Sequence, residues 1–195
     1  MTRPYRLKQR AERQDQTRQK IVDAAIALHQ TKGPAATSMA DIAAKAKVGR
    51  VTVYRHFPDE TALTRACSGQ YFSENPLPDP TAWLAIADAR TRLRHGLRES
   101  YAFHRRTEAM IGRVLVDARD HPVMAPYHEH WQRTVEVLAA PFRAKGQARK
   151  LLDAALAVAV SFDTWRTLVR DRGLTDDQAI AAMLRLTCDC DEGGT

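Results

Sequence analysis

The sequence predicts an all-α protein with a helix-turn-helix near its N-terminus and a larger helical region behind it. Three observations carry this expectation. Ala, Leu, Arg and Glu fill the stretches between a few clustered breakers, with 9 Gly and 9 Pro concentrated at points such as Gly33-Pro34, Pro76/Pro78/Pro80, Lys145-Gly146 and Arg172-Gly173. No stretch alternates apolar and polar residues with β-branched enrichment, so no strand is expected. Charge is also unevenly placed: residues 1–66 hold 13 Lys and Arg against 6 Asp and Glu, whereas residues 67–195 hold 17 of each. The whole formal charge of +7 therefore belongs to the segment that reads as a helix-turn-helix, the electrostatic pattern of a protein that docks on phosphates.

Residues 1–14 are charged and hold too few large apolar residues for a core, which predicts a mobile basic arm. No apolar segment follows them, so a secretory signal is not expected. A first helix is predicted over about Thr17–Gln30, with Ile21, Ala24, Ala25 and Leu28 on one face and Gly33-Pro34 as its stop. Ser38-x-x-Asp41 has the form of a capping box, in which hydroxyl and carboxylate each take a backbone N–H of the other residue. It opens a second helix that buries Met39, Ile42 and Ala43. A turn over about Ala46–Gly49, with Val48 inward, leads to a third helix, about Arg50–His56, burying Val53 and Phe57. Pro58-Asp59 restarts the chain into a fourth helix with Leu63, Ala66, Tyr71 and Phe72.

Beyond the Pro-rich joint SENPLPDP, Trp83, Ile86, Leu93, Leu97 and Tyr101 lie at helical spacing. Thr107–Ala118 and Pro126–Lys145 read as two further helices. Arg149–Arg170 reads as one helix, apolar nearly all round, that must be covered on most sides. Thr175-Asp-Asp-Gln178 caps a last helix carrying Ile180, Met183, Leu184 and Leu186. The longest apolar run, Ala154–Val160, is far too short to span a bilayer. Three cysteines, two of them near the C-terminus, make no disulfide framework, and the cytoplasm is the expected compartment.

The order helix, Gly, Thr-Ser-x-x-Asp-Ile-Ala, turn, Thr-Val-Tyr-Arg-His-Phe-Pro-x-x-x-x-Leu resembles the tetracycline-repressor (TetR) family of bacterial transcription regulators, closely over about residues 17–66. The rest of the chain agrees in helix number, helix lengths and the placement of Trp165 before Arg-Gly-Leu-Thr-Asp. The resemblance implies about nine helices and a homodimer. It divides the chain into the arm (1–14), a DNA-binding domain (15–62) and a ligand-binding and dimerisation domain (63–195). It further implies a repressor released from a palindromic operator by a small effector; an activator or a partner-controlled regulator is the alternative. Two positions depart from the family pattern. Lys47 stands in the turn where Gly is common, and Glu60 stands where a phosphate-binding Lys is common.

A recognition helix presents its first residues to base edges in the major groove. Arg50 is placed there, suited to guanine O6 and N7, with phosphate contact as its alternative. Val51 is suited to a thymine methyl group, and Tyr54 to the sugar-phosphate wall and a base. Thr37, Ser38, Lys47, Thr52, Arg55 and His56 are candidates for phosphate, with a purely structural role also open for His56. The arm residues Arg3, Arg6, Lys8, Arg10 and Arg13 are either a minor-groove element or a solvated tail.

The resemblance implies a pocket in the second domain, and Trp83, Tyr101, His104, Met110, Tyr127, Trp131, Phe162 and Trp165 are its candidate lining. Phe103 is a further large side chain there. Plain core is the alternative for each. Tyr101, His104 and Trp131 have polar tips able to orient a largely apolar or aromatic effector. His128 and His130 lie about 200° apart on a helix, and Cys188-x-Cys190 has the same fault, so no metal or other cofactor is expected. The last two helices are the expected dimer face. An enzyme is disfavoured because no nucleophile–base pairing is legible.

Overall fold

The computed structural model describes residues 3–192, and the side chains of residues 8–187. Among these residues it is helical throughout, without a strand. The helices are α1 (Arg3–Lys32), α2 (Met39–Ala46), α3 (Arg50–His56), α4 (Glu60–Glu74), α5 (Ala89–Asp117), α6 (Ala125–Ala139), α7 (Gly146–Val160), α8 (Phe162–Arg166) and α9 (Asp176–Glu192). Short 3-10 turns occupy Pro80–Ala85 and Pro122–Met124, and a π turn continues α8 over Thr167–Asp171. The described residues form two compact units: residues 3–75 with 112–123, and residues 76–111 with 124–192.

In the first unit, α1 buries Ile21, Val22, Ala24, Ala25 and Ile26 against α2 and α4. Ser38 and Asp41 form the expected capping box: Asp41 N–H donates to Ser38 Oγ at 3.2 Å, and Ser38 N–H to Asp41 Oδ2 at 2.9 Å. α3 turns Val53 inward, and Phe57 follows it into the core beneath the Arg18 guanidinium, 4.7 Å from the ring centroid. α4 is capped by Asp59, whose Oδ1 accepts from Ala62 N–H at 2.7 Å, and buries Leu63, Cys67 and Tyr71. Residues 112–123, the end of α5 and the turn after it, complete this unit. There Asp117 Oδ2 accepts Ala35 N–H at 3.1 Å, beside Gly33 at φ +86°. A Cβ at Gly33 would overlap that carboxylate, so the turn requires glycine for both its backbone angle and its space.

In the second unit, α5 supplies Leu93, Leu97, Tyr101, Phe103, His104 and Ile111 to the core. α6 adds Tyr127 and Leu138, α7 adds Leu152, Leu156, Ala159 and Val160, and α9 adds Ile180, Met183 and Leu184. Trp83 is fully buried, and its indole N–H donates to Glu99 Oε2 at 3.0 Å.

Several expectations are corrected. Residues 3–14 are not an arm but the first turns of α1. Residues 8–16 are almost all exposed, so helix-forming side chains there extend the helix without a core to hold them. α4 lies whole within the first compact unit, which runs to Asn75. Trp83 and Ile86 precede α5, in and just after the 3-10 turn, and α5 continues unbroken through Phe103–Thr107, where no breaker stands. α6 stops before Pro141. Arg149–Arg170 is not one helix: at Ser161 the backbone turns extended (φ −72°, ψ 148°), and its Oγ accepts Thr164 N–H at 3.1 Å to start α8.

Candidate nucleic-acid interface and effector core

The turn between α2 and α3 is built on Lys47, the one non-glycine with positive φ (+55°) among the described residues. Its N–H donates to Ala44 O at 3.2 Å and Val48 N–H donates to Ala43 O at 3.0 Å, closing the orphan carbonyls of α2. Gly49 then begins α3 in an extended conformation. From this start the helix presents Arg50, Val51, Tyr54 and Arg55 outward, opposite Val53. Val51 is 82% exposed and Tyr54 44%. A valine and a tyrosine held in water between two arginines cost solvation in the free protein, as expected of a face that is covered when it works.

The phosphate candidates divide. Thr37 Oγ1 donates to Gly33 O at 2.7 Å and its N–H to Pro34 O at 3.0 Å, so both of its donors are committed. Ser38 likewise donates both N–H and hydroxyl to Asp41 Oδ2, at 2.9 and 2.8 Å. Lys32 Nζ lies 2.9 Å from the same oxygen and, with Ser38, holds that carboxyl well below the usual carboxylate range. Ser38 therefore caps α2, Thr37 ties the loop before it, and the donors of both are engaged within the protein. His56 is half-buried; its Nε2 is enclosed without a protein partner. Burial and the charges of Arg55 and Arg18 lower its pKa from 6.5, so it is neutral at pH 7. The basic groups free on this face are Lys47, Arg50 and Arg55, with Thr52 half-buried beside them. Lys45, exposed in the last turn of α2, is a further basic group of this segment.

The turn yields a prediction. An L-residue in the left-handed region costs roughly 1 kcal/mol, so Lys47→Gly should raise stability by up to about that amount in urea unfolding. If Lys47 meets a phosphate, the same change should weaken DNA binding and reduce the salt slope by about one. A variant with unchanged stability and unchanged salt slope would remove both roles.

In the second unit the predicted lining residues do not all meet. His104, fully buried, lies at the centre of a ring cluster: Trp131 is 5.0 Å away between centroids, Phe162 5.6 Å, Phe103 5.8 Å, Trp165 6.0 Å and Tyr101 6.3 Å. Tyr127 extends the cluster through Trp131, 6.0 Å away. Trp83 is elsewhere, close against Gly96 and 6.4 Å between centroids from His95, and Met110 is buried. The break at Ser161 explains two polar contacts within the cluster. It leaves the last carbonyls of α7 without helical partners, and Tyr101 OH donates to Ala159 O at 3.1 Å while His104 Nε2 lies 2.8 Å from Val160 O. A carbonyl only accepts, so the proton is on Nε2 and Nδ1 is left as an acceptor. Burial lowers the imidazole pKa to about 4.

No His, Cys, Asp or Glu cluster of three or more with metal-binding geometry occurs among the described residues. Cys188 and Cys190 lie outside the described side chains, as do those of Arg3 and Arg6. Cys67 is buried and its thiol is pushed up to about 12, which leaves it unreactive at neutral pH. No described helix is long and apolar enough to cross a membrane.

Residues 21–67 match the family described as bacterial regulatory proteins, tetR family. Solved structures similar to the chain include a TetR-like transcriptional regulator from Rhodococcus sp. RHA1, with a TM-score of 0.65 and 21% identity over 91% of this chain and 96% of that one. A putative TetR-family transcriptional regulator from Syntrophomonas wolfei has a TM-score of 0.60 at 18% identity, over 93% and 97% of the two chains. NalD, the secondary repressor of the MexAB-OprM multidrug efflux pump in Pseudomonas aeruginosa, has a TM-score of 0.59 at 20% identity, over 92% and 97%. At these identities the likeness is one of fold. No curated protein matches the sequence.

Proposed function

We propose that this chain, a member of the tetR family of bacterial regulatory proteins through its residues 21–67, represses transcription by binding a palindromic operator as a homodimer and leaves it when a small effector enters the aromatic core. The observation that carries the DNA-binding half is the outer face of α3. Arg50, Val51, Tyr54 and Arg55 stand exposed on one side of a helix in the segment that holds the protein's entire net positive charge. Arg50 reads a guanine and Val51 a thymine methyl group, while Lys47, Thr52, Tyr54 and Arg55 fix the docking. Thr37, Ser38 and His56 support this face from within.

The dimer half rests on α7 and α9. Leu151 (56% exposed), Ala154 and Val158 (58% exposed) follow one stripe of α7, and Leu186 (63% exposed) stands on α9. Such a stripe, on two helices that pack on each other, is the face a second copy covers. Two copies place two α3 helices in successive major grooves, about 34–36 Å apart. NalD, a repressor by its description, shares this fold and supports the repressor reading.

Release needs an effector that binds the DNA-incompetent state better, and DNA must then weaken the effector by the same factor. His104 and Asp117 stand on the same helix, α5, and Asp117 holds Ala35 N–H, so α5 is a covalent route for that coupling.

Selection of bound sequences from a random DNA pool, at a fixed and stated salt concentration, tests the reading. A two-fold-symmetric consensus is expected. Arg50→Ala should lower affinity for it by about 1–3 kcal/mol and relax the preference at one base pair of each half-site. An equal loss on every sequence would move Arg50 to the phosphates, and retention without any consensus would sink the operator reading.

A further inference from the structure

The aromatic core holds two buried polar atoms of opposite sense on neighbouring rings. His104 Nδ1 is an acceptor, because its partner nitrogen donates to Val160 O, and Trp131 Nε1–H is only a donor. Neither atom is accessible to solvent and neither has a hydrogen-bond partner among the described residues. The two rings lie 5.0 Å apart between centroids. One unpaired buried polar atom is a defect that a protein tolerates at a cost; a complementary pair on adjacent side chains describes what would satisfy it.

On the reading of this core as an effector site, the geometry points to an effector that is a neutral aromatic bearing a hydroxyl group, a phenol in the simplest case. Its O–H donates to His104 Nδ1 and its oxygen accepts from Trp131 Nε1–H. The ring is received by Phe103, Phe162 and Trp165, which offer faces and edges but no charge. An anion fits poorly on two counts. It has no proton to give Nδ1, and the imidazole that could meet it as a cation is held neutral at pH 7 by its burial. A plain hydrocarbon in the same place leaves both nitrogens unpaired. An ether satisfies only Trp131. The order of preference is therefore hydroxyl first, ether second and hydrocarbon last, and it follows from two atoms.

Titration calorimetry of the full-length protein with phenol, anisole and toluene tests this, with operator binding measured on the same preparation. Phenol is expected to bind at least about tenfold more tightly than anisole, the factor that one lost hydrogen bond to a buried group represents. Toluene should bind more weakly still. In Trp131→Phe, which keeps a ring and removes the N–H, toluene affinity should hold while the phenol advantage falls by about tenfold. Equal binding of phenol and toluene overturns the proposal, as does a phenol-over-toluene advantage that is undiminished in Trp131→Phe. A bound water bridging the two nitrogens in the presence of saturating phenol also overturns it. These results leave the effector core standing. Absence of binding by all three compounds, with operator binding intact, overturns the effector core itself.

Discussion

Leu151→Asp combined with Val158→Asp is expected to yield a folded monomer whose affinity for a palindromic operator is at least about a hundredfold below that of the wild type. Both side chains are more than half exposed within the subunit, so the substitutions remove little of its own core. Exposed changes of this kind are normally worth no more than about 0.5 kcal/mol each to the fold. Their effect falls on assembly. In the proposed dimer a two-fold axis through the α7–α9 face brings the same stripe of both subunits together, so each substitution would introduce two carboxylates where two apolar groups met. The double variant loses apolar contact and gains like-charge repulsion at the same place. A monomer keeps the contacts of one α3 and loses those of the other, and a hundredfold loss corresponds to only about 2.7 kcal/mol, a modest share for half of an operator. Sedimentation gives the mass, circular dichroism the helix content, and a titration with a labelled operator the affinity. A variant that remains dimeric with native helicity would mean that the exposed stripe of α7 lies outside the interface.

The sequence made the helix-turn-helix legible because every level of structure agreed there. Ser38 and Asp41 announced the start of α2, the apolar spacing gave its buried side, and Val53 and Phe57 fixed which face of α3 turns outward. What the sequence concealed was the use of individual donors. Thr37 and Ser38 have the side chains of phosphate ligands, but their hydrogen bonds go to Gly33, Pro34 and Asp41, which only coordinates reveal. Residues 3–14 lack a core face, so apolar pattern does not announce a helix there; α1 shows that propensity next to an established helix suffices. The break at Ser161 was legible in principle. Ser161 immediately before Phe162 and Trp165 is an N-cap signal, but the apolar run on either side masks it. On the proposed reading of the core that break matters, because it leaves the carbonyls of Ala159 and Val160 free to orient Tyr101 and His104. The core's chemistry thus depends on a helix end that composition alone could not place.

Arg92 shows the same limit most plainly, and it carries the second large expected effect. An arginine on an amphipathic helix reads as surface, yet this side chain is 6% exposed. Its Nε donates to Ile86 O at 2.7 Å, Nη2 to Leu84 O at 3.1 Å and Nη1 to Val137 O at 3.1 Å. One guanidinium thus ties the end of the 3-10 turn after Pro80 to α6 from its seat on α5. All three acceptors are backbone carbonyls. Arg92→Met keeps most of the apolar stem but leaves the three carbonyls without this donor at one buried point, each worth about 1–3 kcal/mol when wholly unsatisfied. Removing a buried cation also recovers its desolvation cost, so the separate terms do not add in full. The expected loss is about 3 kcal/mol in urea unfolding at fixed protein concentration, since the midpoint of the proposed dimer would shift with concentration. Arg92→Lys discriminates the cause. An ammonium keeps the charge but lacks the planar fork that reaches three acceptors in different directions. If the fork is what ties the segments, Lys should be nearly as damaging as Met. If lysine restores most of the stability, the charge rather than the geometry is the stabilising element. A loss below about 1 kcal/mol in Arg92→Met would mean that desolvation of the guanidinium offsets its three bonds and that apolar packing alone holds the 3-10 turn to α6.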